Sequence, residues 1–394
     1  MSRGVHLVDC TLREGDQTAG VAMTFDEKLE IAELLDAAGV PLVDAGMPAV
    51  HRNEARFLRE AVKRCTSMTV GASVRCRPDM AQLALDCGVG AVFVICPVSD
   101  HHLSSRLDTT LDHLLDSLEE VAAIVRGHAS LEVVAEDATR ADESSLMALT
   151  KTAKRVGADR MYLADTVGVK SPAQWSQLVT DTLVALGDEV QLGVHCHNDY
   201  GMATALTVAA IEAGVCWPTA TINGLGERAG NADLGAVAAA TQNLLGLQCS
   251  VDLGRIQALS RSVERASETL LNEAHPLVGA NAFRHESGIH VHGVLKDPSL
   301  YEAIDPAQLG RERTLLIGKH SGGAHLRAVL AKAGISLADE ELERLRMRIQ
   351  AACGARSRSE FDDLRRSIDA FRRTSQGVPT EKVIEWAREL EVNP

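Results

Sequence analysis

Aromatic side chains are scarce in this 394-residue chain, where Phe, Trp and Tyr together make up 3% of the residues. Such a chain has few rings on which bases could stack, so nucleic-acid binding by stacking is excluded as its main activity. Basic residues are also outnumbered, with 40 Lys and Arg against 54 Asp and Glu and a net charge of -14. An acidic chain has no general attraction for nucleic acid or anionic membranes, so we expect neither as a partner. We also expect an aliphatic core of Val, Leu, Ile and Ala.

Long apolar runs and paired cysteine motifs are missing as well. No stretch of 18 apolar residues occurs, which predicts that the chain has no membrane span. None of the nine cysteines forms a C-x-x-C motif, and most lie inside apolar runs, which indicates reduced, buried thiols. Residues 1–4 lead directly into a strand-like segment without the pattern of a secretory leader. We therefore expect a cytoplasmic protein.

The chain does contain a repeated strand–helix unit. Eight short apolar, β-branched runs occur in the first 225 residues, and each is followed by a stretch with helical periodicity. This alternation predicts a parallel sheet, and eight units favour a closed TIM (β/α)8 barrel. The alternative is an open, doubly wound sheet, but the glycine-rich segment 224–230 has the wrong spacing for its dinucleotide fingerprint. The eight predicted strands are residues 5–12, 42–48, 68–76, 91–97, 131–137, 160–166, 191–198 and 217–225.

Changes in composition along the chain indicate three regions. Residues 1–275 hold the predicted barrel, in which Thr24 and Glu27 form a capping box before the first helix and Gly39 ends that helix. Residues 276–330 are rich in Gly and His and are interpreted as a loop-rich linker or lid. Residues 331–394 are rich in charge with helical periodicity, so we expect a C-terminal, mainly helical extension.

The sharpest motif is His195-Cys196-His197 on the seventh predicted strand. Alternate residues of a strand point to the same face, so both imidazoles project inward together. Two histidines and a carboxylate form a common divalent-metal site, and Glu14 at the end of the first strand is the candidate carboxylate. The alternative interpretation is a pair of hydrogen-bonded polar residues in the core.

Other polar residues follow the predicted strands at the same end of the barrel. Arg13 could stabilise an oxyanion on a carbonyl substrate, or it could form a structural ion pair with Asp9 or Asp165. Glu136 and Thr166, with Asp165, are candidates for acid–base or substrate-orienting roles.

Three further features stay open between a structural and a functional interpretation. Asp137 is a candidate acid–base group, but its position at a strand end favours a helix cap. Residues 224–230 either bring backbone amides close to a ligand or form a tight turn. Residues 283–293, which contain three histidines, are either a polar loop or supply a general acid or base over the barrel mouth.

Taken together, these motifs resemble the homocitrate and isopropylmalate synthases, which are metal-dependent TIM-barrel enzymes. The likeness covers nearly the whole chain and keeps the family's motif order. Residues 98–100, 135–142 and 225–231 look most like the homocitrate synthases linked to nitrogenase cofactor supply. The segments that carry the resemblance are TLREGDQ at 11–17, HCHNDYG at 195–201, NGLGERAGN at 223–231, HESGIH at 285–290 and GKHSG at 318–322.

The resemblance implies a Claisen condensation of acetyl-CoA with a 2-oxo acid on a divalent metal ion, followed by hydrolysis of the thioester. Glu14, His195 and His197, with Asn231 close by, would hold Zn, Mg or Mn, and Arg13 would stabilise the alkoxide. Many relatives have Asp at the position of Glu14, whereas some homocitrate synthases have Glu.

The resemblance also implies roles for five further residues and a partner. Glu136 and His290 match the family's acid–base pair, Thr166 would bind the carboxylate of the 2-oxo acid, and Gln17 would lie beside the substrate. His290 and Tyr301 would reach into the barrel of a second subunit, so a homodimer with swapped C-terminal segments is expected.

The substrate is the part of the prediction that the resemblance leaves most open. Homocitrate synthases of the lysine pathway have an Arg shortly before the Ala-Glu-Asp segment, but here that stretch reads Glu132-Val133-Val134. Arg75, with Arg77, Arg52 and His51, could hold a distal carboxylate or a phosphonate instead. We expect 2-oxoglutarate and homocitrate first, with a 2-phosphonomethylmalate synthase acting on phosphonopyruvate or a 2-isopropylmalate synthase as alternatives. A metal-dependent aldolase or lyase on the same barrel is a further alternative.

Overall fold

The structure is a computed structural model that describes residues 4–355, 358–375 and 378–392. Residues 1–3, which precede the first predicted strand, lie outside these ranges. So do residues 356–357, 376–377 and 393–394 of the predicted helical extension. The chain divides into two units, residues 1–270 and residues 271–394. No helix in the described ranges combines the length and the apolar character needed to cross a bilayer.

The first unit contains a closed barrel of eight parallel strands, which confirms the predicted fold class. Each strand pairs with its neighbour in sequence, and the last pairs with the first through Val8↔Thr219 and Asp9↔Ala220. The carboxyl ends of all eight strands therefore meet at one end of the barrel. The strands are β1 Val8–Asp9, β2 Leu42–Asp44, β3 Thr69–Arg75, β4 Ala91–Pro97, β5 Ser130–Glu136, β6 Arg160–Asp165, β7 Gln191–Cys196 and β8 Trp217–Ala220.

Helices follow the strands as the sequence pattern predicts. The first begins with the expected capping box, since Thr24 N–H donates to Glu27 Oε2 over 2.8 Å and Glu27 N–H donates to Thr24 Oγ1 over 3.4 Å. The helices of this unit are α1 Phe25–Ala37, α2 Arg52–Arg64, α3 Pro78–Leu85, α4 Leu111–Val125, α5 Glu143–Val156, α6 Pro172–Leu186, α7 Ala203–Ala213, α8 Leu234–Ala239 and α9 Ile256–Ser267.

The first predicted strand, residues 5–12, is divided in the structure. Gly4–Val5 pairs with Gln248–Cys249 outside the barrel, and only Val8–Asp9 joins it. The reason is local, because Asp9 accepts hydrogen bonds from the Thr11 amide at 2.8 Å and from the Thr11 hydroxyl at 2.7 Å. These bonds turn the chain sharply into a π-helical turn over Thr11–Gly15, the segment that carries Arg13 and Glu14.

The core is mainly aliphatic, as expected, but aromatic rings occupy part of the barrel interior. Phe93 and Tyr162 are buried in the inner cluster with ring centroids 5.7 Å apart. Glycines on neighbouring strands make room for them. A Cβ atom on Gly71 would lie 2.7 Å from the Phe93 ring, and one on Gly193 would lie 2.3 Å from the Tyr162 ring. Large rings opposite glycines therefore fill space that the sequence pattern assigned to branched aliphatic residues.

The second unit is mainly helical, as expected, with one pair of short parallel strands. Strand β9 Arg284–His285 pairs with β10 Thr314–Leu315. Residues 283–293 are not one polar loop, because His290 and His292 lie on a helix. The glycines there allow close packing, since a Cβ on Gly293 would lie 2.4 Å from the Tyr301 ring. The helices are α10 Gly288–Lys296, α11 Gly323–Lys332, α12 Asp339–Gly354, α13 Ser359–Ser375 and α14 Thr380–Val392.

Candidate metal centre and active site

Three candidate metal ligands come together at the carboxyl end of the barrel. The ligand atoms of Glu14, His195 and His197 all lie within 4.8 Å of one another. His195 Nε2 is 3.3 Å from His197 Nε2 and 3.6 Å from Glu14 Oε1. All three residues are buried, with exposed fractions of 6 to 7%. The two histidines share one face at the end of β7, and the π-helical turn after β1 supplies the carboxylate.

The ring of His195 is oriented by a second contact. Its Nδ1 lies 2.8 Å from Thr219 Oγ1 on β8. With Nδ1–H donating to this hydroxyl, Nε2 keeps its lone pair directed at Glu14 and His197. A fixed tautomer of this kind is a regular feature of metal-binding histidines.

Both imidazoles are neutral at physiological pH. Burial, followed by the charge of Arg13, lowers the pKa of His195 to about 3. Burial, followed by the neighbouring His195, lowers the pKa of His197 to about 2. Neutral imidazoles are the form that binds a metal ion, so the cluster is ready to do so without releasing protons from its histidines.

Asn231 completes the cluster, and the glycine-rich loop before it forms a tight turn. Asn231 Nδ2 lies 3.3 Å from His195 Nε2, while its buried Oδ1 has no hydrogen-bond partner among the described residues. A Cβ on Gly226 would lie 1.9 Å from that oxygen, and one on Gly230 would lie 2.0 Å from the Gly224 carbonyl. Only glycine therefore allows this turn to place Asn231 against the histidines.

The residues present fit a divalent ion. Two neutral imidazoles and one carboxylate face each other in a buried site, with the Asn231 side chain beside them, and this donor set suits Zn or Mn.

Arg13 is fixed by Asp44, a residue that the sequence motifs did not single out. Its Nε donates to Asp44 Oδ2 over 2.6 Å, and its Nη1 donates to Glu14. The Ser73 hydroxyl donates to the same Asp44 oxygen over 2.7 Å. The structural alternatives Asp9 and Asp165 are not its partners among the described contacts. The sequence does contain a signal that could have identified Asp44, since it is the charged residue of an otherwise apolar strand segment.

The groups around Arg13 keep its guanidinium protonated and positively charged. Burial lowers the pKa of the guanidinium, but the charge of Asp44, together with the hydrogen bond to Asp44 and the charge of Glu136, outweighs it and the pKa is raised. A buried, permanently charged group beside a metal cluster can stabilise a negative charge that develops on a substrate oxygen.

Glu136 ends β5 and faces the same mouth, but its carboxylate is held by residues that sequence reasoning missed. Arg106 donates to both oxygens, with Nη1 at 2.9 Å from Oε1 and Nη2 at 2.5 Å from Oε2. His102 Nδ1 is 3.5 Å from Oε1. Both residues lie in the segment between β4 and α4, which carries no recognisable motif.

The remaining polar residues at the ends of β5 and β6 divide into two groups. Asp137 and Asp165 are fully buried structural groups: Asp137 accepts hydrogen bonds from Arg140 at 2.8 Å and from Ser99 at 2.5 Å. Its side chain makes no helix-capping bond, so the expected cap is wrong. The Thr166 hydroxyl accepts the Asp137 amide at 2.8 Å and is only partly buried.

Gln17 and Arg75 are exposed at the edge of the site. Gln17 Nε2 lies 3.7 Å from Met47 Sδ. Arg75 is the last residue of β3, two positions after Ser73, so its side chain starts on the face that Ser73 turns toward Asp44. The side chain of Arg75 has no ion pair or hydrogen bond with any residue in the described ranges.

His290 and Tyr301 belong to the second unit, where they contact each other. Their rings stack with centroids 4.2 Å apart and an interplanar angle of 26°. Glu302 follows Tyr301 and is held by Arg313 Nε at 2.6 Å and by His285 Nε2 at 3.0 Å. The structure therefore brings together Glu14, His195 and His197 with Asn231 and Arg13 in the barrel, and His290 with Tyr301 in the second unit.

Family models match both units of the chain. The HMGL-like model matches residues 4–263, and the model for the homocitrate synthase post-HMGL domain matches residues 277–357. A hydroxymethylglutaryl-CoA lyase from Pseudomonas aeruginosa is similar in structure, with a TM-score of 0.60 and 20% identity over 69% of this chain and 95% of that one. At this identity the likeness shows the fold alone.

Three curated relatives cover most of the chain. The homocitrate synthase AksA of Methanopyrus kandleri is 38% identical over 92% of both proteins. A 2-isopropylmalate synthase of Sulfurisphaera tokodaii is 37% identical over 86% of this chain and 89% of the relative. The (R)-citramalate synthase CimA of Methanocaldococcus jannaschii is 36% identical over 92% of this chain and 72% of the relative. The chain belongs to the HMGL-like family, in the group that contains the homocitrate, isopropylmalate and citramalate synthases.

Proposed function

We propose that this chain condenses acetyl-CoA with a 2-oxo acid and then hydrolyses the thioester. The observation that carries the proposal is the buried cluster of Glu14, His195, His197 and Asn231, with the charged Arg13 beside it, at the carboxyl end of the barrel. Active sites of TIM barrels lie at that end. Relatives named for three such condensations support the reaction class.

The residues of the cluster divide the chemistry among them. Glu14, the two histidines and Asn231 would hold a divalent ion, which when bound would supply Lewis acidity toward the keto group of the 2-oxo acid. Arg13, held by Asp44, donates N–H bonds to the oxygen that becomes negative as the keto carbon is attacked. The Thr166 hydroxyl accepts a backbone amide, which leaves its own proton free to donate to the substrate carboxylate.

Glu136 and His290 form the acid–base pair that transfers protons, and Tyr301 assists them. The acid–base pair removes a methyl proton from acetyl-CoA, the methyl carbon bonds to the keto carbon, and the keto oxygen becomes a hydroxyl. Water then cleaves the thioester and releases a carboxylate and the CoA thiol. Gln17 at the edge of the site contacts the substrate, and residues 276–330 serve as the segment that delivers His290.

A homodimer would supply His290 and Tyr301 from a partner. Tyr301 is 42% exposed, and His290 on α10 is exposed as well. If the C-terminal segments are swapped between subunits, these two residues must lie on the surface of the second unit. The nine unpaired cysteines, six of them buried, support a reducing, cytoplasmic location.

We assign 2-oxoglutarate as the first candidate substrate, with homocitrate as the product. The support is Arg75, whose guanidinium is exposed at the barrel mouth without a partner in the described ranges and can pair with a second carboxylate. A phosphonate would satisfy the same group, so phosphonopyruvate is the second candidate. Two further 2-oxo acids lack a distal anion: 2-oxoisovalerate, for isopropylmalate synthesis, and pyruvate, the substrate expected of a citramalate synthase.

The test is CoA release by the purified protein with Mn, Zn or Mg, measured against these four 2-oxo acids and oxaloacetate. We expect 2-oxoglutarate to give the highest kcat/KM, and Arg75→Gln to raise its KM while leaving that of pyruvate unchanged. Preference for 2-oxoisovalerate or pyruvate would overturn the assigned substrate but keep the reaction class. Carbon–carbon cleavage of a hydroxy acid without any CoA release would favour the aldolase alternative.

A further inference from the structure

The segment between β4 and α4 follows an unusual path over the end of β5. Ser99 begins a short helix over Asp100–His102, which continues as a π-helical turn over Leu103–Leu107. The turn ends at Asp108, whose φ of 47° lies in the left-handed region. Non-glycine residues adopt this conformation rarely and at a cost, so the surrounding contacts must hold it.

This path places Arg106 directly on Glu136. The two residues form a bidentate pair, with N–O distances of 2.9 and 2.5 Å, which uses both carboxylate oxygens. The Glu136 side chain is 15% exposed and that of Arg106 is 49% exposed, so the guanidinium covers the carboxylate from the solvent side. A bidentate arginine fixes the plane of a carboxylate as well as its charge.

Neighbouring contacts fix the segment itself. The Ser99 hydroxyl donates to Asp137 Oδ2 over 2.5 Å, next to Glu136 in sequence. Arg140 donates to the other Asp137 oxygen over 2.8 Å and lies 3.4 Å from His102 Nε2. The end of β5 and the π-helical turn therefore hold each other in one arrangement, and the position of Arg106 does not depend on its own side-chain flexibility alone.

We propose that Arg106 is a positioning residue for Glu136, holding its carboxylate in the orientation in which it takes part in removing the methyl proton of acetyl-CoA. This inference rests on the proposed function. Arg106 acts through Glu136 and does not bind either substrate. Its loss should therefore reduce turnover and leave substrate affinity nearly unchanged.

The test compares Arg106→Ala and Arg106→Lys with the unmodified protein, using the best 2-oxo acid. Readouts are kcat, both KM values, and the loss of deuterium from methyl-deuterated acetyl-CoA. We expect Arg106→Ala to lower kcat by about 10- to 100-fold, which is part of the roughly 10²- to 10⁴-fold contribution of acid–base catalysis, with both KM values within about threefold. Arg106→Lys should recover part of the loss, since a lysine keeps the charge but not the bidentate geometry.

Guanidinium chloride, at concentrations well below those that unfold proteins, should restore part of the activity of Arg106→Ala, because the free ion can occupy the vacated position. The control is Arg155→Ala, which removes another arginine–glutamate pair, with Glu119, from exposed helices of the same unit. It should leave all these quantities unchanged.

Three results would overturn the inference. Wild-type kcat in Arg106→Ala would show that Glu136 needs no such support. A raised KM for the 2-oxo acid with unchanged kcat would make Arg106 a substrate-binding group. A loss of kcat in Arg106→Ala that guanidinium does not restore and that Arg106→Lys shares in full would indicate a structural role. If the unmodified protein releases no CoA with any 2-oxo acid, the proposed function itself fails, which is a different result from a functional enzyme with an indifferent Arg106.

Discussion

The two units of this molecule differ in how many apolar side chains they expose. The barrel unit buries charged groups and pairs them, as with Arg13 and Asp44, and among described residues only eight of its large hydrophobic side chains are exposed. The second unit is less than half as long but exposes sixteen. A surface with so many apolar side chains favours association with another protein surface. The barrel therefore holds the candidate metal cluster, whereas the second unit exposes the larger number of apolar side chains.

The largest effect should follow from removing a buried histidine of the barrel. His195→Ala would remove a proposed metal ligand, and the loss of several kcal/mol of charge stabilisation should lower CoA release by about 10³-fold or more. Metal content, measured by elemental analysis after gel filtration, should fall with it. The matched control is His325→Leu, since His325 is a buried histidine of the second unit that lies outside the cluster.

Equal metal content in His195→Ala and the unmodified protein would contradict the metal assignment. Loss of metal in His325→Leu would also contradict it, because His325 lies outside the cluster.

The second-largest effect should be a loss of stability that distinguishes a buried ion pair from an exposed one. Lys28 is 2% exposed, and its Nζ donates to Glu54 Oε2 at 2.8 Å and to Asp16 Oδ2 at 3.0 Å, next to the turn that carries Glu14. Lys28→Met leaves two carboxylates without their buried partner, which should lower the free energy of unfolding by about 3–5 kcal/mol. Arg346→Met, which removes an exposed pair with Glu343 on α12, should leave the unfolding midpoint unchanged.

Urea titrations followed by circular dichroism would measure both variants. A similar loss in the two variants would remove the contrast between the units.

Much of the barrel and of its site could be predicted because the signals are local. The eight strand–helix repeats show the fold through periodicity alone. His195 and His197 are two residues apart on a strand, so their shared face follows from the sequence. The capping box at Thr24 and Glu27 depends on four consecutive residues and was also correct.

What the sequence did not reveal depends on contacts between distant segments. Asp44 becomes the partner of Arg13 only when β2 lies beside the turn after β1. Arg106 reaches Glu136 through a π-helical turn that has no sequence signature. Phe93 in the barrel interior requires a glycine at position 71 on the neighbouring strand, a match that depends on register. Pairings of this kind need the three-dimensional structure.

A moderate effect should appear in the state of association. Phe361 and Leu364 are 63% and 57% exposed on one face of α13, so they are suited to bury against a second copy. We expect the unmodified protein to sediment at about twice its chain mass of 42.1 kDa. Phe361→Asp combined with Leu364→Asp should weaken this dimer by about 10- to 100-fold, as expected when buried apolar contacts are replaced by charges. Val184→Asp, at a side chain 79% exposed on α6 of the barrel unit, is the control.

Analytical ultracentrifugation over a dilution series would report both dissociation constants. A monomer at all concentrations, or equal weakening by Val184→Asp, would contradict the role of α13.

The smallest effect concerns the pH dependence of the second unit. His325 is 1% exposed, neither ring nitrogen has a hydrogen-bond partner in the described ranges, and burial lowers its pKa. Because the folded form of this histidine binds a proton less readily than the unfolded form, the folded protein loses stability as the pH falls through about 6.5. His325→Leu should stabilise the protein by about 1 kcal/mol at pH 8, where it removes an unpaired polar group, and by more at pH 5.5. The other buried histidines are present in both the unmodified protein and the variant. Their contributions therefore cancel in the difference between the two free energies of unfolding. A leucine variant that is less stable at pH 8, or an advantage that does not grow toward pH 5.5, would show that His325 has a partner that compensates its burial.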